Sequence, residues 1–201
     1  MEEASYFDRH PHMRDLISLI VFVACVVIGT LFINTYIFRS FSVSGLSSWP
    51  TLHNGDRLIV DRIPVTWDQL QNKTYSPQRG QFIVFKNPQW TGNGPDEYVI
   101  KRVIAFGGER VVVKNGTVTV YNSQHPDGFN PDALDKHGTP RKPTSGEVDQ
   151  TVDPGTLFVM GDNRIGANSE DSRDGLGLIP LSDVIGPVSW RIFPFTSIST
   201  F

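Results

Sequence analysis

Hydrophobic and polar positions change rhythm near residue 39. Leu16 to Phe38 (LISLIVFVACVVIGTLFINTYIF) is almost continuously apolar and holds no charged residue. At about 1.5 Å of rise per residue such a helix would span roughly 34 Å, enough for a hydrocarbon core of about 30 Å. Its polar members, Ser18, Thr30, Asn34 and Thr35, are uncharged. Arg14 and Asp15 precede the run, and Arg39 and Ser40 follow it. Tyr36 and Phe38 stand near one end, where aromatic rings favour a membrane interface. The pattern predicts one membrane-spanning helix over 16–38, a tail over 1–15, and a separate folded part over 39–201. Charge does not orient the span, because Arg9 and Arg14 lie before it and Arg39, Arg57 and Arg62 after it.

Beyond residue 39 the apolar runs are short and alternate with polar positions. Arg57 to Arg62, Gln81 to Phe85, Tyr98 to Ile104, Arg110 to Lys114, Thr117 to Tyr121, Thr156 to Met160 and Val184 to Ile192 read as strands. Asn115-Gly116 joins two of them and predicts a tight hairpin, because both central positions of a type I′ turn need positive φ. No long amphipathic helix is expected, and the fold class is mainly β, an antiparallel sheet preceded by the apolar helix. Asn122 to Gln150 is polar and rich in Pro, Gly and Asp, and reads as a long surface excursion with a short helix over Pro131 to Lys136. Pro88 to Asp96 reads as a second loop.

Composition narrows the picture little. The 201 residues suit one domain plus an anchor, and a net charge of −3 with no basic stripe argues against a nucleic-acid partner. Cys25, the single cysteine, lies inside the apolar run and has no internal partner for a disulfide.

Candidate chemistry sits at three places. Ser44 to Leu52 (SGLSSWPTL) is a Gly- and Pro-punctuated turn directly after the anchor. Phe41 and Trp49 lie near it as candidates for dipping into the membrane interface. In Tyr98 to Ile104 (YVIKRVI), Lys101 falls by period two on the face of Val99 and Val103, and Arg102 on the other. Such a lysine either snorkels to the sheet edge or is held neutral. A base near pH 7 needs a shift of roughly three units from about 10.4, and desolvation supplies shifts of that size. The five histidines have neither an obvious orienting acid nor a zinc spacing. The third place is Met160 to Arg164 with Ser169 to Arg173, a loop dense in Gly, Asp, Asn, Arg and Ser, which reads either as a solvated turn or as one locked by Asp–Arg contacts.

Taken in order, these pieces resemble the type I signal peptidases. The matching residues are Ser47-x-x-Pro50-Thr51-Leu52, Arg79-Gly80-x-x-x-Val84-Phe85, Lys101-Arg102-Val103-Ile104, Gly161-Asp162-Asn163-Arg164 and Ser169-x-Asp171-Ser172-Arg173, with Gly186, Arg191 and Pro194 in the closing strand. The resemblance implies a membrane-bound serine endopeptidase that removes signal peptides from exported preproteins after small-x-small motifs. Ser47 would be the nucleophile and Lys101 the general base. Ser169 would orient the lysine, and Asp162, Arg164, Asp171 and Arg173 would hold the loop. Val43, Leu52, Val99 and Ile100 would line shallow substrate pockets. It implies no cofactor and no metal. The partners would be secretory preproteins and the lipid bilayer, without nucleic acid, and the protein would be a monomer. Residues 1–15 would be cytoplasmic, and the catalytic domain would lie outside the cytoplasmic membrane. Two departures stand out. Ser48 follows the nucleophile where the family usually has Met, and Ile165-Gly166-Ala167-Asn168 lengthens the gap before Ser169.

Overall fold

The computed structural model describes residues 11–93, 97–133 and 138–201. Helix α1 (Pro11–Phe32) continues into a π-helical turn, Ile33–Ile37. Almost every side chain from 12 to 36 is exposed, so this apolar helix has no protein core to pack against. A helix apolar all round and uncovered by protein is suited to lipid. Residues 11–15, read from the sequence as tail, are helical, while residues 1–10 lie outside the described part. Phe38 leaves the span as well. Its backbone is extended (φ −139°, ψ 143°), its N–H closes the π turn on Ile33, and it opens strand β1 (Phe38–Ser42). Chain and sheet are thus joined without a linker.

Strand β1 pairs antiparallel with β2 (Arg57–Asp61), Phe38 opposite Asp61 and Ser42 opposite Arg57. A short helix, α2 (Ile63–Leu70), follows β2 with Pro64 in its first turn, where a missing N–H costs no hydrogen bond. The remaining strands are β3 (Phe82–Lys86), β4 (Tyr98–Phe106), β5 (Arg110–Lys114), β6 (Thr117–Tyr121), β7 (Val148–Thr151), β8 (Thr156–Met160), β9 (Ile179–Pro180), β10 (Val184–Phe193) and β11 (Ser199–Thr200). Among the described residues the main sheet runs β1-β2-β10-β3-β4-β8-β9, with β11 added to β10, and a smaller sheet runs β6-β5-β7. Every pairing is antiparallel. The mainly β expectation therefore holds. The β5–β6 hairpin turns where expected, with Asn115 at φ 51° and Gly116 at φ 78°.

Three apolar clusters fill the fold. One lies between the small sheet and β8, around Val111, Val120 and Phe158. A second, around Leu52, Val60 and Phe82, supports the turn after β1. The third packs Ile83, Val103 and Val159.

The described part of 122–147 is largely an exposed excursion without strands, as its composition suggests, but the stretch 122–150 is tied into the fold. It contributes β7, which pairs with β5, and a 3-10 turn at Pro131–Ala133. Asp132 and Thr144 are buried. Polar composition hid this because the stretch is fixed by ion pairs and backbone bonds rather than by an apolar face. The helix expected to reach Lys136 and the loop expected to reach Asp96 both run into residues outside the described part.

Phe158 is fully buried in the first cluster. Phe158→Ala should lower stability by about 3–5 kcal/mol, seen as an earlier denaturant midpoint at unchanged slope.

Candidate active site

Lys101 sits in the middle of β4, opposite Ile83 of β3, and is only 3% exposed. It does not snorkel. Its Nζ donates to Ser169 Oγ at 3.2 Å, and that hydroxyl donates in turn to Asp171 Oδ2 at 2.8 Å. Burial is the main influence on the amine and pulls its pKa down to about 8. Asp171, Asp174 and Glu170 oppose that shift, and Arg173 assists it.

Asp171 is itself buried, which pushes its carboxyl up, but its bonds outweigh burial and the carboxyl stays below its ordinary value. Arg173 grips it with Nε to Oδ1 and Nη2 to Oδ2, both at 2.9 Å, and the Gly161 N–H donates to Oδ2 at 3.0 Å. The relay from lysine to serine to carboxylate is thus anchored at its far end by a guanidinium.

Ser47 lies half-buried in the turn between β1 and β2. Asn163 clamps that turn. Its N–H donates to Ser47 O and its Nδ2 to Leu46 O, each at 3.0 Å. Gly161 shows how closely the pieces meet. A Cβ built there would stand 2.2 Å from Ser169 Oγ and 2.3 Å from Ser47 O. Ser47 and the lysine-bound Ser169 therefore touch the same side of one glycine. Ser48, buried beside Ser47, donates to Ile100 O at 3.5 Å and so ties the Ser47 turn to the peptide before Lys101. The structure brings Ser47, Ser48, Ile100, Lys101 and Ser169 into one site.

Arg102 is buried too, on the opposite face of β4, which the alternation alone did not require. It forks onto Asp162 with contacts of 2.7 and 2.6 Å and reaches Gly80 O and Gly138 O at 2.9 and 3.1 Å. Asp162 also accepts from the Thr51 hydroxyl, four residues after Ser47. Arg164 has no exposed side-chain surface. It pairs with Asp132 at 2.9 and 3.1 Å and donates from Nε to Gly161 O at 2.6 Å. Asp132 is the functional residue that sequence reasoning missed. Its only signal was an Asp beside Pro131 in a polar stretch. The same stretch bonds to the loop through Arg141 N–H to Asp162 O and Ser145 N–H to Arg164 O, both at 2.8 Å. The lengthened Ile165–Asn168 segment bulges outward, held by Gly166 N–H to Ser145 Oγ at 2.7 Å, and Ser169 still reaches the lysine.

The expected substrate-lining residues separate into two pairs. Val99 and Ile100 are half-buried at the site. Val43 is 7% exposed and Leu52 has no exposed surface, so Leu52 packs the core beneath the turn and does not line a pocket directly. Both candidate interface aromatics are partly engaged within the protein. Arg141 lies over Trp49 at 4.5 Å, and Phe41 packs against Tyr98 at 5.4 Å. A cavity of about 350 Å³ between the His53–Asp56 turn and Arg191–Ser197 contains none of the catalytic candidates. Peptide substrates bind along open strand edges, so a closed cavity is not required.

The sequence pattern of the family described as signal peptidase, peptidase S26, matches residues 13–193. The chain belongs to this family. It is a signal peptidase, a hydrolase of the serine peptidase type that processes signal peptides. It is similar to the signal peptidase I of Bacillus amyloliquefaciens, 33% identical over 82% of this chain and 79% of that protein. Signal peptidase I T of Bacillus subtilis is 31% identical over 86% of this chain and 83% of its own length. A solved signal peptidase I from Enterococcus faecalis, 26% identical, aligns with 58% of this chain and all of its own, at a TM-score of 0.42. The one apolar N-terminal helix fits a membrane-anchored peptidase.

Two outcomes follow for this signal peptidase. Asp132→Ala leaves a fully buried guanidinium unpaired and should destabilise the domain by about 3–5 kcal/mol, measured by denaturant unfolding in detergent. Gly161→Ala should abolish peptidase activity while a soluble, β-rich fold persists by circular dichroism, because its methyl group collides with both Ser169 and the Ser47 carbonyl.

Proposed function

We propose that this signal peptidase cuts exported preproteins after small-x-small motifs with Ser47 as nucleophile and Lys101 as general base. The observation that carries this reading is the buried Lys101 amine, held by Ser169 beside the Ser47 turn, with its pKa brought to about 8. A lysine of ordinary pKa is charged at neutral pH and accepts no proton. One lowered this far is partly neutral there and serves as a base.

Neutral Nζ takes the Ser47 proton as Oγ attacks the scissile carbonyl. The ammonium so formed gives that proton to the leaving amine, and an acyl-enzyme remains. That amine is the new N-terminus of the mature protein; water, deprotonated by the same lysine amine, then releases the signal peptide from Ser47 as a carboxylate. The Ser47 N–H faces the developing oxyanion. Ser169 fixes the amine in place throughout, because its own proton is committed to Asp171. Val99 and Ile100, with the rim of Val43, offer a shallow apolar surface that suits small side chains. The domain begins at Phe38, directly after the apolar helix, so the site works close to the bilayer, and exported preproteins as substrates put it on the extracytoplasmic side. The working unit is a single chain acting on preproteins at the lipid surface.

Cleavage of a preprotein in detergent micelles, with the cut mapped by mass spectrometry, tests this. Wild type and Ser48→Ala should cut after a small-x-small site, and Ser47→Ala and Lys101→Ala should not. Cleavage by Ser47→Ala at the wild-type rate would overturn the assignment.

The pH dependence has a definite sign. Catalysis needs the neutral amine, so kcat/KM should rise with pH through about 8 and level off above it. Stability follows linkage. The folded amine titrates near 8 and the unfolded one near the ordinary 10.5, so below about 8 the fold carries the full cost of a buried ammonium. That cost is relieved as pH rises from about 8 to 10.5. Lys101→Met should therefore be more stable than wild type at pH 7, and its advantage should shrink across that window in unfolding curves measured at stepped pH.

A further inference from the structure

Helix α2 carries an apolar face that the protein does not cover. Ile63, Trp67 and Leu70 are 49%, 63% and 74% exposed. At about 100° per residue their directions fall within roughly 60° of one another. Val65, the one buried residue of the helix, points roughly opposite and packs it onto the domain. The stripe therefore faces directly away from the protein.

The helix is fastened to the top of the apolar anchor. The Arg62 N–H donates to Ile37 O at 2.8 Å, Arg62 Nε to Thr35 O at 2.7 Å, and Thr66 Oγ1 to Tyr36 O at 3.0 Å. These carbonyls belong to the π-helical turn that ends the apolar run. An α-helix leaves its last carbonyls without helical partners, and here α2 and its cap supply donors to them. Continuity with the anchor decides what covers the stripe. A surface bonded to the last turn of a membrane span lies at the level of the lipid headgroups.

We propose that α2 is an interfacial helix that lies on the bilayer with Ile63, Trp67 and Leu70 in the headgroup–acyl boundary, and that it sets the height and tilt of the catalytic domain over the membrane. This rests on the reading of α1 as a membrane anchor. Trp is the side chain best suited to that boundary, with an apolar body and one N–H for the wet side. The span and α2 then form a bracket. One arm fixes the domain laterally, and the other prevents it from leaning away from the cleavage sites that emerge beside the span.

The test uses the full chain in liposomes, with phospholipids brominated high on the acyl chain as quenchers of tryptophan fluorescence. Flotation with the liposomes reports the anchor. Quenching reports α2 and needs no catalysis, so its failure leaves the Ser47–Lys101 assignment standing. Wild type should float and be quenched, and Trp67→Phe should float but lose part of that quenching. The double variant Trp67→Phe/Leu70→Trp should regain it, because position 70 shares the stripe. Both substitutions are at exposed positions outside the catalytic machinery. Failure to float overturns the proposal together with the anchor. Flotation with equal quenching in wild type and Trp67→Phe overturns the proposal alone. So does self-crosslinking through a cysteine placed at Leu70, which would mean that a second copy covers the stripe.

Discussion

A primary amine sealed inside a β-sheet is the condition on which the rest of this molecule depends. Water stabilises an ammonium far better than protein does, so the sheet around Lys101 favours the uncharged form. Three carboxylates, on Asp171, Asp174 and Glu170, favour the charged form. Burial prevails over all three. Arg173 holds Asp171 in a fork and adds a smaller push towards the neutral amine, in the same direction as burial. The arginine thus acts on the lysine without touching it.

The loop that follows β8 is held by three buried guanidinium–carboxylate pairs, two of which join parts of the chain far apart in sequence. Arg102 with Asp162 joins β4 to the loop, and through Thr51 to the Ser47 turn. Arg164 with Asp132 recruits the polar stretch after β6. Arg173 with Asp171 closes the loop on itself. Buried ion pairs add little net stability over an apolar replacement, because desolvation offsets their attraction. They do define geometry, since a forked donor accepts its partner in few orientations. The proposed site, with Ser47, Lys101 and Ser169 placed together, gains from that rigidity.

Much of this was legible in the alternation of side chains. Strands β5, β6 and β8 fall where the pattern puts them, because β-branched runs bounded by turn residues have few competing readings. Lys101 stood out as a cation on an apolar face, and Ser169 meets it despite the lengthened segment before it. The elements that escaped share one property, that their order comes from partners distant in sequence. Strand β1 has no alternation of its own, and its first residue, Phe38, was read into the apolar run until pairing with β2 claimed it. Helix α2 exposes its apolar stripe, so it did not look like a helix packed on a core. Asp132 resembles any loop aspartate until Arg164 is placed beside it. Leu52 was expected as a pocket residue from the family resemblance, whereas packing under the turn removed it from the surface.

Strand β4 carries two adjacent cations on opposite faces, Lys101 opposite Ile83 and Arg102 opposite Phe82. The two are alike in charge and unlike in everything the site asks of them. A lysine loses its proton when desolvated, and a guanidinium keeps its own. If β4 slipped by one residue during folding, the guanidinium would occupy the apolar socket with no means of becoming neutral, and the lysine would face a carboxylate fork shaped for a planar partner. Both errors are costly and occur together. The pair of cations therefore works as a key for strand alignment, so that a mispaired sheet is disfavoured by the same two side chains that the folded enzyme buries.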